Sequence, residues 1–78
     1  ILSINIMIEV FKTDVKYKKD ARRIVSLLNV KLTRHKINFD LSDCDRILRI
    51  ENDENKIQIP LIEKILFNEG FHCEVLPD

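Results

Sequence analysis

Val10-Phe11-Lys12-Thr13-Asp14-Val15-Lys16-Tyr17-Lys18-Lys19-Asp20-Ala21-Arg22-Arg23 is where this chain changes period. Upstream, Ile4, Ile6, Ile8 and Val10 alternate with Asn5, Met7, Glu9 and Phe11. A period of two predicts a strand, here with its isoleucine side on a core. Thr13 and Asp14 break the alternation, and either can cap a helix. From about Tyr17 the spacing becomes three and four. Ala21, Ile24, Val25, Leu28 and Leu32 form one stripe, while Lys18, Lys19, Arg22, Arg23 and Asn29 point elsewhere. This predicts an amphipathic helix ending near Thr33. Lysines in its first turn oppose the helix dipole, at a cost of about 0.3–1 kcal/mol each at low salt.

Further along, Ile37, Phe39 and Leu41 alternate with Asn38 and Asp40 in a second strand. Ser42-Asp43-Cys44-Asp45 is a turn cluster. Arg46 to Glu51 is a third strand with Leu48 and Ile50 inward, and Asn52-Asp53-Glu54-Asn55 is a polar turn. Pro60 suits the first position of a second helix, where its missing N–H costs nothing. Leu61, Ile62, Ile65 and Leu66 form that helix's apolar face. Gly70, the chain's single glycine, stands where a helix end needs a left-handed backbone. Phe71 to Leu76 is a short last strand, ended by Pro77.

The order strand-helix-strand-strand-helix-strand predicts an α+β, ferredoxin-like βαββαβ sandwich. Right-handed crossovers give a four-stranded antiparallel sheet, order 4-1-3-2, with both helices on one face. This topology brings the Thr13–Lys16 loop, the Ser42–Asp45 hairpin and the Gly70–His72 turn to one end. Residues 1–78 read as a single domain with its core over about 6–76. The expected core is Ile6, Ile8, Val10, Ile24, Val25, Leu28, Phe39, Leu48, Ile50, Ile62, Ile65 and Leu66. A chain of 78 residues buries about 60% of its unfolded surface, so that core is thin.

Composition narrows the function classes. Hydrophobic residues at 45% beside 33% charged ones fit a globular chain, not a disordered one. No apolar run approaches the ~20 residues of a membrane span. The Ile1–Ile8 run lacks the positive flank of a signal peptide, so a cytoplasmic protein is expected. Met7 is an alternative start. Net charge is zero but unevenly spread. Nine Lys/Arg stand between Lys12 and Lys36, against Asp14 and Asp20, and six acids follow between Ile37 and Asn55. Lys16, Lys18, Lys19, Arg22 and Arg23 form the basic surface expected to meet an acidic protein partner. The alternative is a solvated helix face.

In its blocks Glu9-Val10, Asn38-Phe39-Asp40-Leu41, Asn68-Glu69-Gly70-Phe71 and Glu74-Val75-Leu76, the chain resembles the heavy-metal-associated, copper-chaperone-like domains. Within that superfamily it resembles small uncharacterised bacterial proteins with Phe-Lys-Thr in the first loop and a Val-Leu-Pro-Asp end. The resemblance spans about Ile6 to Leu76. It implies the same fold and, in the family, Cu(I) held by a Cys-x-x-Cys motif at the first loop, soft thiolates suiting a soft ion. Here those two positions fall on Asp14 and Tyr17, or on Val15 and Lys18, and neither pair contains a thiolate. No metal ligand carries over, and no cofactor is expected.

Other chemistries have less to stand on. Cys44 in the hairpin, with His72 and Cys73 after Gly70, offers an alternative site for a soft or borderline metal. The plainer reading makes Cys44 a turn residue, His72 a surface residue and Cys73 a strand residue. Two cysteines make no disulfide framework and read as free thiols. Ser3, Ser26 and Ser42 lack a nucleophile motif and no glycine-rich phosphate loop exists, so no enzyme is expected. His35 reads as a surface residue at the opposite end. Weak nucleic-acid binding by the basic helix is a further alternative. Base-stacking modules of this topology carry aromatics on the two central strands, and here only Phe11 lies near such a position.

Overall fold

The computed structural model of the protein describes residues 6–42, 44–53 and 56–77. Ser3, Ile4 and Asn5 at the start, Asp43 in the hairpin, and Glu54 and Asn55 in the polar turn lie outside the described residues. The elements are β1 (Met7–Thr13), α1 (Lys18–Lys31), β2 (His35–Asp40), β3 (Ile47–Asn52), α2 (Ile59–Asn68) and β4 (Cys73–Val75). The strands form one antiparallel sheet of order β2-β3-β1-β4, which counted from the β4 edge is 4-1-3-2. Both helices pack on the same sheet face. Ile24 and Leu28 of α1, and Ile62 and Leu66 of α2, share one cluster with Phe11, Leu48 and Ile50 of the central strands. Among the described residues, no helix is long and apolar enough to cross a membrane.

The helices follow their sequence periods closely. α1 buries Ala21, Ile24 and Leu28, the stripe that a 3.6-residue repeat requires. Its N-cap is Tyr17, extended at φ −111° and ψ 142°, with no side-chain cap. Thr13 and Asp14 therefore cap nothing here and are used elsewhere. In α2, Pro60 sits in the first turn. Gly70 has φ +89°, and it closes the helix with Gly70 N–H donating to Phe67 O (3.0 Å) and Phe71 N–H to Leu66 O (2.9 Å). That pair of bonds satisfies the carbonyls a helix end leaves open, and the backbone they need favours glycine.

The first strand corrects the expected core. Ile6 and Ile8 are 59% and 50% exposed, and Val10 is only half-buried. Phe11, at 0%, and Thr13 instead face the helices. The register explains the reversal. Phe11 lies opposite Leu48 and Glu9 opposite Ile50, and residues directly opposite in an antiparallel pair share a face. Val25, Phe39 and Ile65 are half-buried at the core's margin. Val15, Leu32, Ile57 and Cys73 join the core in addition to the residues expected there.

His35 is not a bare surface residue. It opens β2 half-buried, opposite Asn52. Its Nδ1 lies 2.8 Å from Thr33 O and its Nε2 3.2 Å from Asn52 Nδ2. A carbonyl only accepts, so Nδ1 carries the proton and Nε2 accepts from the amide of Asn52.

Candidate functional site

The three connections expected at one end do meet there, stitched by long-range hydrogen bonds. Thr13 N–H donates to Asp45 O (3.1 Å), and the Thr13 hydroxyl donates to Arg46 O (2.6 Å) while accepting from Val15 N–H (3.2 Å). Asp14 and His72 exchange two bonds: Asp14 N–H to His72 O (3.3 Å) and His72 N–H to Asp14 Oδ1 (2.9 Å). Arg46 occupies the left-handed region at φ +49°, a conformation costing a non-glycine residue roughly 1–2 kcal/mol. Its guanidinium donates to Leu41 O (2.9 Å) and its carbonyl accepts from Thr13, so both sides hold it there.

The three residues of the alternative metal site are placed differently from one another. Cys44 is exposed in the hairpin and Cys73 is buried at 6% exposure, side by side with Thr13 on the core face. His72 precedes Cys73 and its exposed ring lies 3.9 Å from Glu74, on the opposite side of the strand from the thiol. Among the described residues, no three His, Cys, Asp or Glu side chains gather closely enough to hold a metal ion. Burial pushes the Cys73 thiol up to about 11, with the carboxylates of Glu63 and Asp14 adding to the shift. It stays protonated at neutral pH, and a protonated thiol is a poor nucleophile and a poor ligand. At the first-loop positions the resemblance points to, Val15 is fully buried and Tyr17 is 64% exposed.

The five basic residues divide. Arg23 turns toward α2, with Nε 3.1 Å from Glu69 and a longer contact of 3.7 Å to Asp20. Lys16 and Lys19 are exposed. Lys18 and Arg22, one helical turn apart, lie on the side of α1 that faces β2. There they border a groove of about 630 Å³ between α1 and β2. The α1 wall continues through Ala21, Val25 and Ser26, and the other wall is Ile37 to Ser42. The groove therefore starts at the three-connection end and runs along the sheet's β2 edge, with Val25, Ile37, Phe39 and Leu41 supplying apolar surface, Ser26, Asn38, Asp40 and Ser42 polar surface, and Lys18 and Arg22 two cations on its α1 side.

The sequence pattern marks Lys18 and Arg22 as basic but does not name the groove they border. The signal was present: order 4-1-3-2 makes strand 2 an edge, and Ile37, Phe39 and Leu41 alternate along it. Phe11, the aromatic nearest a base-stacking position, faces the helices and is fully buried. The helix-free face of β1 and β3 carries Ile8, Val10, Lys12, Ile47, Arg49 and Glu51, none of them aromatic. No family model, no curated protein and no solved structure matches this chain.

Proposed function

We propose that this chain is a non-enzymatic protein-interaction module that docks an acidic, partly apolar segment of another protein in the α1/β2 groove. In this reading it keeps the fold plan of the heavy-metal-associated domains it resembles and has turned from metal to a protein partner. The observation that carries the reading is the groove itself, which combines the apolar Val25, Ile37, Phe39 and Leu41 with the cations Lys18 and Arg22 and the polar Ser26, Asn38, Asp40 and Ser42. Pockets of several hundred Å³ with apolar walls and a few placed polar groups are where proteins bind ligands. Cations beside a groove select the sign of the partner and speed encounter more than they hold it.

The test is direct. A set of labelled peptides alternating Glu or Asp with Val, Ile, Leu or Phe is titrated against the intact chain by fluorescence anisotropy. The Lys18→Glu/Arg22→Glu variant is expected to bind about tenfold or more weakly. Lys64→Glu, a charge reversal on the other helix, is expected to bind within about twofold of the parent. Raising salt from 0.1 M to 1 M shortens the Debye length from about 10 Å to about 3 Å and should slow association. Binding indifferent to the double reversal overturns the reading.

A further inference from the structure

We propose that the partner segment binds as a fifth strand, adding to the free edge of β2; this rests on the groove reading above and specifies its geometry. Among the described residues, β2 pairs with β3 on one side and with no strand on the other. In such an edge strand every second residue directs its N–H and C=O outward, which is a template for another chain.

The composition of the groove wall separates strand addition from docking beneath the sheet. A pocket under one sheet face is lined by residues of one parity, because side chains alternate between faces. Within β2 this wall instead takes consecutive residues, Ile37, Asn38, Phe39 and Asp40, before it continues into the turn at Leu41 and Ser42. Inward and outward residues together border a space that reaches the open edge of the strand. The groove thus reaches the position of the next strand.

The other edge of the sheet is built differently. β4 has three residues, and the chain beyond it is bonded to β1 through Leu76 N–H and Val10 O before Pro77. Shortness and proline are two ways in which proteins close an edge. β2 has six residues, without proline. The six residues of β2, His35 to Asp40, span about 17 Å, enough for about five residues of an added strand.

The same alternation sets the chemistry of the incoming segment. Side chains on its inner side enter the space between α1 and β2, beside Val25, Ile37 and Phe39, and are apolar. Side chains on its outer side lie next to Lys36, and those nearest the first turns of α1 lie next to Lys18 and Arg22, so these positions are acidic. Opposite charges across a strand pair stabilise it and like charges do the reverse, so the position beside Asp40 is uncharged. The occupant is an extended segment with alternating apolar and acidic side chains, recognised through its main chain.

The experiment uses the intact chain and the same peptide set, each peptide about seven residues long. The tightest binder is remade twice, N-methylated on alternate amides in one phase and then in the other. A strand pairs through one edge, so one phase should weaken binding about tenfold or more, and the other should leave it within about twofold. On binding the unmodified peptide, amide exchange within residues 35–40 should slow, with that of β1 unchanged. Equal loss in both phases, or loss in neither, overturns strand addition; if Lys18→Glu/Arg22→Glu still weakens the parent peptide, the groove reading survives. No binding by any peptide of the set at about 1 mM, or binding indifferent to the double reversal, overturns the groove reading and strand addition with it.

Discussion

The two sides of β1 are chemically alike enough to be exchanged on paper, and the fold treats them oppositely. One side carries Ile6, Ile8 and Val10, and the other carries Met7, Glu9, Phe11 and Thr13. The side with the acid and the hydroxyl is the one that faces the helices, and Phe11 and Thr13 are its buried members. Its neighbour decides this. In β3, Leu48 and Ile50 flank Arg49, so only one face of that strand is fit for a core. The register Phe11↔Leu48 then carries β1 with it. Thr13 is tolerated inside because its hydroxyl both donates and accepts. A central strand is thus assigned its face by the less ambiguous strand beside it.

Phe11→Ala breaks that comparison at its strongest point. Truncating a fully buried phenylalanine should cost about 3–5 kcal/mol. Leu28→Ala, in the helix that covers it, should cost about 2–5 kcal/mol. Small domains hold only about 5–15 kcal/mol in total, so Phe11→Ala should leave little folded protein at 37 °C. Urea unfolding followed by circular dichroism reads both, and a Phe11→Ala midpoint equal to that of the parent would return the core to the isoleucine side.

Thr13→Val keeps the shape and deletes the hydroxyl. Arg46 O loses its donor and Val15 N–H its acceptor. Leaving such buried groups unpaired costs about 1–3 kcal/mol. Because Arg46 is held left-handed partly by that bond, amide exchange in the 44–47 segment should also rise. Loss of stability without that change would confine Thr13 to a packing role.

Cys73 tests the core side by pH. Its thiol is held at about 11 when folded, against 9.0 as the ordinary value, chiefly by burial. Above pH 9 the unfolded chain releases this proton and the folded chain keeps it, so the unfolded state binds fewer protons and stability falls with rising pH. The contribution is fully present below about 9 and is lost between about 9 and about 11, on the order of 1–3 kcal/mol. Cys73→Ala should flatten that part of the pH profile relative to the parent. In the native protein a thiol reagent should label exposed Cys44 at once, and Cys73 only as fast as the fold opens.

What could be read from the sequence follows the range of the interactions involved. Helix faces, the inward Leu48 and Ile50, and Gly70 at the end of α2 depend on neighbours within a turn or two, and they were legible. Locally, either Thr13 or Asp14 can cap a helix. Their partners, Arg46 and His72, lie 33 and 58 residues away, and no local pattern names them. Arg46 was read as the start of a strand, and its left-handed backbone is set by bonds from both sides. At the candidate site, Lys18 and Arg22 were legible as basic positions. Arg23 could not be separated from them without knowing that Glu69 reaches it from α2. The groove needed one further step, that strand 2 of order 4-1-3-2 is an edge.

The smallest expected effect is the most discriminating. Ile8→Thr places a polar, β-branched residue on the helix-free side of β1, where Ile8 is 50% exposed. Threonine suits a strand as isoleucine does, so backbone preference changes little. Exposed substitutions away from special contacts usually stay within about 0.5 kcal/mol. The expected urea midpoint is therefore close to that of the parent and independent of protein concentration. On the isoleucine-inward alternative, the same change buries a hydroxyl among apolar groups, with a penalty of about 1–3 kcal/mol. A large loss at every concentration would restore that alternative. A loss that grows with protein concentration would show that a second copy covers Ile6, Ile8 and Val10, because only association makes apparent stability depend on concentration. One substitution thus separates a solvated face, a misassigned core and a covered interface by the size and the concentration dependence of a single midpoint.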